Sequence, residues 1–447
     1  MILDQNESRH LCEKLLGMTS AGDARASVTS EDYSQSRFAA NDFTTNGRRE
    51  NVSASLTVWI DQKRGSASAN NLDDASLRAA AEEAEQLARL APVDREYVPT
   101  LGAMKYRPTR GYAESTGNIS LTRRARDING IIVACDKAGV IGAGFHHATA
   151  SAAASATRNG NFHYERSSLA SLSATARTRD GGSSGYFLRN HFDAARLDAS
   201  RVGREAIQKA LTSREPRALA AGVYPVILQP QAAVDLIHGF GFDARSADEG
   251  RSAYSLPGGE TRVGRKIFDE RINIYSDPWH PELPGSSAAL DGIPSEKVFY
   301  VRQGVLEKLH YNRHWARVKN QPPTPAGGPS ILESTGPTST EAQMIASMKR
   351  GLLVSRFWYI RAVDPRTLLF TGLTRDGVWL IENGKIQYPV RNFRFNQSIT
   401  ELLAPGNVDQ IGVAERVSPS ESQGNGSMLM PALKVNAFHF SSQSEAV

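Results

Sequence analysis

The sequence predicts an α+β protein: a mixed α/β N-terminal region followed by a β-rich C-terminal domain. Three observations carry the prediction. A capped helix is read within residues 70–92, helix-like and strand-like stretches alternate between residues 119 and 222, and from "GVYPVILQP" onward short strands are split by Gly, Pro, Asn and Asp. The 447 residues are 40% apolar and 22% charged, enough to build a large core. The expected division is 1–110 for an N-terminal α/β domain, 111–220 for a middle α/β segment packed with it, and 221–447 for the β-rich C-terminal domain.

In chain order, residues 5–18 place Leu11, Leu15 and Leu16 on one side of a helix, and "SASLTVWID" alternates as a strand. In "NNLDDASLRAAAEEAEQLARLAP", Asp73 or Asp74 caps the free amides. Leu77, Ala81, Ala84, Ala88 and Ala91 recur at helical spacing until Pro92, and so many alanines predict close packing on a sheet. "GIIVACDKAGVIGAGFHHATASAAASAT" and "SSLASLSATART" read as extended, which puts Cys135 on a buried strand, and "DAARLDASRVGREAIQKALTS" reads as an amphipathic helix. A helix is expected near 341–350, and "ENGK" supplies the Asn-Gly pair of a tight hairpin. The stretches 320–340 and 418–427, dense in Pro, Gly, Ser and Thr, read as surface loops.

The charge balance, 52 Lys and Arg against 47 Asp and Glu, leaves a net +5 with no long basic run, so nucleic acid is not an expected partner. No run of 18 apolar residues exists, the first residues lack the apolar core of a signal peptide, and two cysteines are too few for a disulfide framework. A cytoplasmic protein with no membrane partner is expected.

Chemistry is sought first in histidines. His310 and His314 stand four apart, but in a strand-like segment they would be roughly 13 Å apart at about 3.3 Å per residue, too far to share an ion. His146 and His147 are adjacent and face opposite ways if extended. The glycines of "DGGSSGY" and "VIGAGF" lack the Walker lysine and the dinucleotide spacing and read as turns. Cys12 and Cys135 have no evident activating neighbours, and no G-x-S-x-G elbow is present. In "AVDLIHGFGFDAR", a helix with Ala233, Leu236, Ile237 and Phe240 as its inner face leads to His238 and Asp243. If helical throughout, these two lie about 140° apart around the axis, and Gly239 and Gly241 weaken the helix between them. Arg375 and Asp376, in the Gly-bounded "TGLTRDGVW", read as a turn between strands, either a cleft element or a plain salt bridge.

The order of segments resembles the TldD/PmbA family, whose PmbA subunit is also called TldE. The resemblance rests on "RFAANDFTTN", "SAAASATRNGNFHYERSS", "RTRDGGSSGY", "GVYPVILQPQAAVDLI", "DEGRSAYS", "LDGIPSEKVFYVRQGVLEKLHYNRHWA" and "FTGLTRDGVWLIENGKIQYPVRNFRFNQS", and runs nearly end to end. In the catalytic TldD branch a helix carries H-E-x-x-x-H and a later Cys completes a zinc site, the Glu serving as base for the bound water. Here those six positions are His238, Gly239, Phe240, Gly241, Phe242 and Asp243, and no Cys follows residue 135.

The resemblance therefore implies the PmbA/TldE-like branch: a non-catalytic subunit that pairs with a TldD-like zinc metallopeptidase as a heterodimer and helps process or degrade an extended, unfolded peptide. It implies no cofactor and no metal in this chain, with zinc in the TldD-like partner. His238, Asp243, Arg375 and Asp376 remain as cleft candidates. Two other readings stay open: a stand-alone enzyme of altered peptide or amide chemistry in a remodelled cleft around His238, and a homodimeric peptide binder.

Overall fold

The protein is described here by a computed structural model covering residues 2–239, 241–422 and 426–444. The first sheet is antiparallel throughout and orders its six strands as Lys63–Ala69, Asp42–Ile60, Asp23–Ala39, Val140–Thr157, Phe162–Thr178 and Ser184–His191. The pairing of Asp23–Ala39 with Val140–Thr157 makes one sheet of the regions on either side of residue 110. The hairpin Asp23–Ile60 turns at Ala40 and Asn41, both at positive φ. There the Asn41 side chain is pinned to the next strand, donating to Val140 O at 2.9 Å and accepting from Gly142 N at 2.5 Å.

Period-2 alternation decides which face is covered. Ala24, Ala26, Val28, Leu56 and Val58 point to one side, where the helices Gln5–Gly17 and Asp74–Leu90 bury them. Asp73 caps the second helix by accepting from Ser76 N. The predicted close approach is real: a Cβ at Gly65 would lie 2.0 Å from Ala84 O, so this strand position needs glycine for the helix to seat.

The other end of the same face is covered by helices Leu121–Ala138 and Ala199–Thr212. Here the extended reading of residues 130–138 fails. Ile128, Ile131, Ile132 and Cys135 are buried at helical spacing, and Gly139 stops the helix at φ 67°. The β-branched run supplied strand propensity, but burial on one helical face outweighed it. Cys135 is thus a helical core residue. "VIGAGF", read as a turn, lies within the strand Val140–Thr157, where a Cβ at Gly144 would meet Ser173 O at 2.2 Å.

In the C-terminal region, strands Gly222–Leu228, Leu433–Gln443, Phe393–Ser398, Leu369–Glu382 and Arg350–Asp364 pair in a path that closes on itself. Lys385–Pro389 and Val408–Ile411 are added at the sides. Phe357, Phe393, Phe395, Phe438 and Phe440 fill its interior, their ring centroids 4.6–5.5 Å apart. The Asn383-Gly384 hairpin forms as predicted, both residues at positive φ.

A further sheet orders Val305–Leu306, Val298–Arg302, Ile272–Ser276, Ile331–Ser334, Met428–Met430 and Glu415–Val417. Ile331–Ser334 therefore corrects the loop reading of 320–340: Ile331 and Leu332 are buried between two partner strands, which the flanking prolines and glycines concealed. The helix expected at 341–350 spans Glu341–Ala346. No helix among the described residues is long and apolar enough to cross a membrane.

Candidate functional site

The helix Pro230–Ile237 begins with Pro230 directly after a strand and is buried along its length. It ends at Ile237, with His238 as its C-cap, so it does not continue to residue 243. Phe240, assigned above to its inner face, lies outside the described residues. His238 is exposed, and its Nδ1 lies 3.0 Å from Val234 O and 2.9 Å from Asp235 O. Two carbonyl acceptors fix the proton on Nδ1 and leave Nε2 without a partner among the described residues, the posture metal-ligating histidines adopt.

The neighbouring positions depart from that role. Position 239 has no side chain, and a Cβ there would come within 3.3 Å of the Phe370 ring. Asp243 belongs to another element: it is the N-cap of the short helix Ala244–Asp248, its carboxylate accepting from Ser246 N at 2.7 Å. Among the described residues, no three His, Cys, Asp or Glu side chains cluster as a metal would need. Both cysteines are free and buried in separate cores. Burial pushes the Cys12 thiol up to about 12 and that of Cys135 to about 11, so neither is a ready thiolate.

The structure brings together a different pair from those the spacing suggested. Asp243 and His310 lie side by side through a backbone bridge, His310 N donating to Phe242 O and Ala244 N to His310 O at 3.0 Å. His314, instead of continuing a strand, sits in the helix Arg313–Val318, where Asn312 caps Trp315 N. Burial lowers the pKa of His310, against the pull of the Asp243 and Asp291 carboxylates.

Beside this cluster a cleft of about 580 Å³ opens between the uncovered face of the first sheet and the C-terminal domain. Its floor carries Arg25, Trp59 and His163, and its roof Asp291, Arg313 and His314. The walls are fastened across the cleft: His163 Nε2 lies 2.7 Å from Ser287 Oγ, Glu165 accepts from Ser286 Oγ and Ser287 N, and Tyr106 OH donates to Gly292 O at 2.5 Å. Asp291 accepts from Arg313 N, whereas Arg25 Nε is enclosed with no hydrogen-bond partner among the described residues. Such a cleft offers charged and hydrogen-bonding groups to a polar chain. Asp291 lies in "LDGIPSEK" and His163 in "SAAASATRNGNFHYERSS", both among the segments carrying the family resemblance; Arg25 sits in a strand whose local pattern gives no sign of it.

Arg375 and Asp376 lie inside the long strand Leu369–Glu382, at an irregularity where Asp376 has φ 55° and Gly377 φ 127°. The turn between strands read at this point is thus a bulge: the chain stays paired on both sides, and the two glycines relieve crowding against Phe395 and Trp379. Asp376 is 3% exposed, pairs with buried Arg356 and accepts from Ser184 Oγ at 2.5 Å, tying the C-terminal domain to the first sheet. Arg375 is a bystander at 3.9 Å. His146 and His147 face opposite sides of their strand, His146 toward Asp127 at 3.4 Å and His147 between Tyr33 and Phe145.

Closed C-terminal strands join a helix-covered sheet across a polar cleft, and the family descriptions that match this chain are those of a metallopeptidase-related class of protein. Three family descriptions match in sequence order: PmbA/TldA metallopeptidase domain 1 over residues 24–88, central domain over 119–214 and C-terminal domain over 221–442. The chain belongs to the PmbA/TldD family. Its fold is shared by TldE from Thermococcus kodakarensis (TM-score 0.82, 18% identity, 97% of this chain and 99% of that one). It is also shared by proteins described as proposed modulators of DNA gyrase from Thermotoga maritima (TM-score 0.84, 18% identity, 97% and 100% covered) and Bacteroides thetaiotaomicron (0.82, 19%, 99% and 100%). No curated protein sequence matches this chain.

Proposed function

We propose that this chain is a non-catalytic, PmbA/TldE-like subunit that binds no zinc itself and pairs with a TldD-like zinc metallopeptidase to process or degrade unfolded peptides in the cytoplasm. One observation carries the reading: the helix that would bear the zinc motif ends at His238, with Gly239 where a base would stand and Asp243 committed to capping another helix. A single histidine supplies neither a tetrahedral site nor an activated water. No catalytic step is assigned to this chain.

The cleft supports a holding role. Arg64 at its rim belongs to Lys63–Ala69, the edge strand of the first sheet, so an extended peptide can add to that edge by main-chain hydrogen bonds while its side chains meet the cleft's charges. The test mixes the purified chain with a TldD-like protein and measures size and peptide cleavage. A 1:1 complex that cleaves faster than the TldD-like protein alone supports pairing; two separate species with unchanged cleavage contradict it.

The second reading, a stand-alone enzyme, is favoured only by the Asp243–His310 juxtaposition beside the cleft. It requires His238→Ala combined with Asp243→Ala to abolish turnover, whereas the subunit reading expects partner-dependent cleavage to survive nearly intact.

A further inference from the structure

A second cavity, of about 550 Å³, lies against the first sheet beside the start of the helix Leu121–Ala138, and His238 is not among its lining residues. Its floor includes Ser34, Ala148 and Ala150 of the sheet, and its wall is the turn Thr116–Ser120 running into that 18-residue helix.

Arg124, one turn into the helix, reaches back into this cavity and is only 5% exposed. Its guanidinium donates to neutral oxygens alone: Nε to Ser36 Oγ at 3.3 Å, and Nη1 to Ser34 Oγ at 2.9 Å and Ile119 O at 3.3 Å. Nη2 donates to nothing among the described residues, yet it is not among the enclosed orphan atoms, so it opens into the cavity.

A buried cation normally carries its counter-charge with it, because leaving one out of water unpaired is costly. Here no carboxylate among the described residues pairs with Arg124. Asp32, which also lines the cavity, gives both oxygens to Arg48 at 3.0 and 2.6 Å, and Asp127 is held by Arg123 at 3.0 Å. The same wall presents the first amides of the helix, those of Leu121 and Thr122, which helix geometry leaves without intrahelical acceptors; Arg123 N is already taken by Ser120 Oγ. A free guanidinium edge and a helix N-terminus facing one cavity are complementary to a tetrahedral oxyanion. The volume exceeds what a bare phosphate needs and suits a small organic molecule attached to it.

We propose that this cavity is a binding site for a small phosphorylated ligand, its phosphate held between Arg124 Nη2 and the N-terminus of the helix Leu121–Ala138, its organic body resting on Ala148 and Ala150. The site is independent of peptide processing and would make this chain ligand-responsive.

The test is calorimetric titration of the full chain with inorganic phosphate, with acetate as the carboxylate control. Two variants accompany it. Arg124→Lys keeps the charge and loses the fork. Leu121→Glu places a competing carboxylate at a half-exposed first helical position, where an acid favours the helix and folding is preserved. Saturable 1:1 phosphate binding, weakened about tenfold or more in Leu121→Glu and in Arg124→Lys, is expected. Absence of saturable binding up to about 10 mM, equal affinity in Leu121→Glu, or acetate binding as tightly as phosphate overturns the proposal.

Discussion

Replacing Asp376 by Asn separates a structural role from a cleft role at one of the residues the sequence singled out. Asn is nearly the same size and tolerates the φ of 55° at this position, so the substitution removes charge and little else. Arg356, 6% exposed, would keep the faces of Tyr186 and Trp358 at 4.0 and 5.1 Å but lose the carboxylate it pairs with among the described residues. Stranding a buried guanidinium costs about 3–5 kcal/mol, and stacking on two aromatic rings returns about a third of that, leaving a net loss of roughly 2–3 kcal/mol. For a cooperative unit of this size that is a fall in Tm of roughly 5–10 °C. Thermal unfolding followed by tryptophan fluorescence is the assay, since Trp379, three residues further along the same strand, donates to Thr212 O across the same interface. Arg375→Ala should move Tm by less than about 2 °C, and Arg356→Met added to Asp376→Asn should recover part of the loss. A Tm for Asp376→Asn within about 2 °C of the parent would refute the assignment of this pair to domain fastening.

Gly377→Ala should cost about 2 kcal/mol or more in the same assay, because φ is 127° and the added Cβ would lie 2.1 Å from the Trp379 ring. Acid should destabilise the protein through His147, whose pKa burial and the neighbouring His146 lower to about 4. The unfolded chain takes up that proton near pH 6.5 and the folded chain does not, so stability is full above about 6.5 and falls by about 3 kcal/mol as pH drops toward 4. Urea unfolding of His147→Gln across that window should show a flatter dependence. Gly239→Glu combined with Asp243→His should not create a zinc site measurable by metal analysis, because the helix ends before both positions and no thiolate is near; stoichiometric zinc in that variant would contradict the geometry.

What was legible in the sequence was local. Asp73 announced its helix, the alanine face announced close packing, and Asn383-Gly384 fixed a hairpin, because each depends on contacts within a few residues. Residues 130–138 misled because Ile131, Ile132 and Val133 favour strand while the burial of Ile128, Ile131 and Cys135 is helical, a conflict only the packed sheet resolves. The long hairpin Asp23–Ile60 was visible only at its apolar end; the start of Asp42–Ile60 is exposed, and the outer half of Asp23–Ala39 buries Ser34 and Ser36, polar residues that give no apolar alternation to read. The residues at positions 239 and 243 can be read directly from the sequence, whereas the cleft that joins Arg25, His163 and Asp291 depends on strands and loops far apart in sequence. The pairing of Asp243 with His310 was hidden for the same reason: the two lie far apart in the chain and meet only through a backbone bridge.

The central claim is that this chain alone has no zinc-dependent peptidase activity. Metal analysis and cleavage of an unstructured peptide by the purified chain, with and without a chelator, test it most directly. The expected result is zinc far below one ion per chain and no chelator-sensitive cleavage until a TldD-like protein is added. One tightly bound zinc per chain with chelator-sensitive cleavage by the chain alone would contradict it.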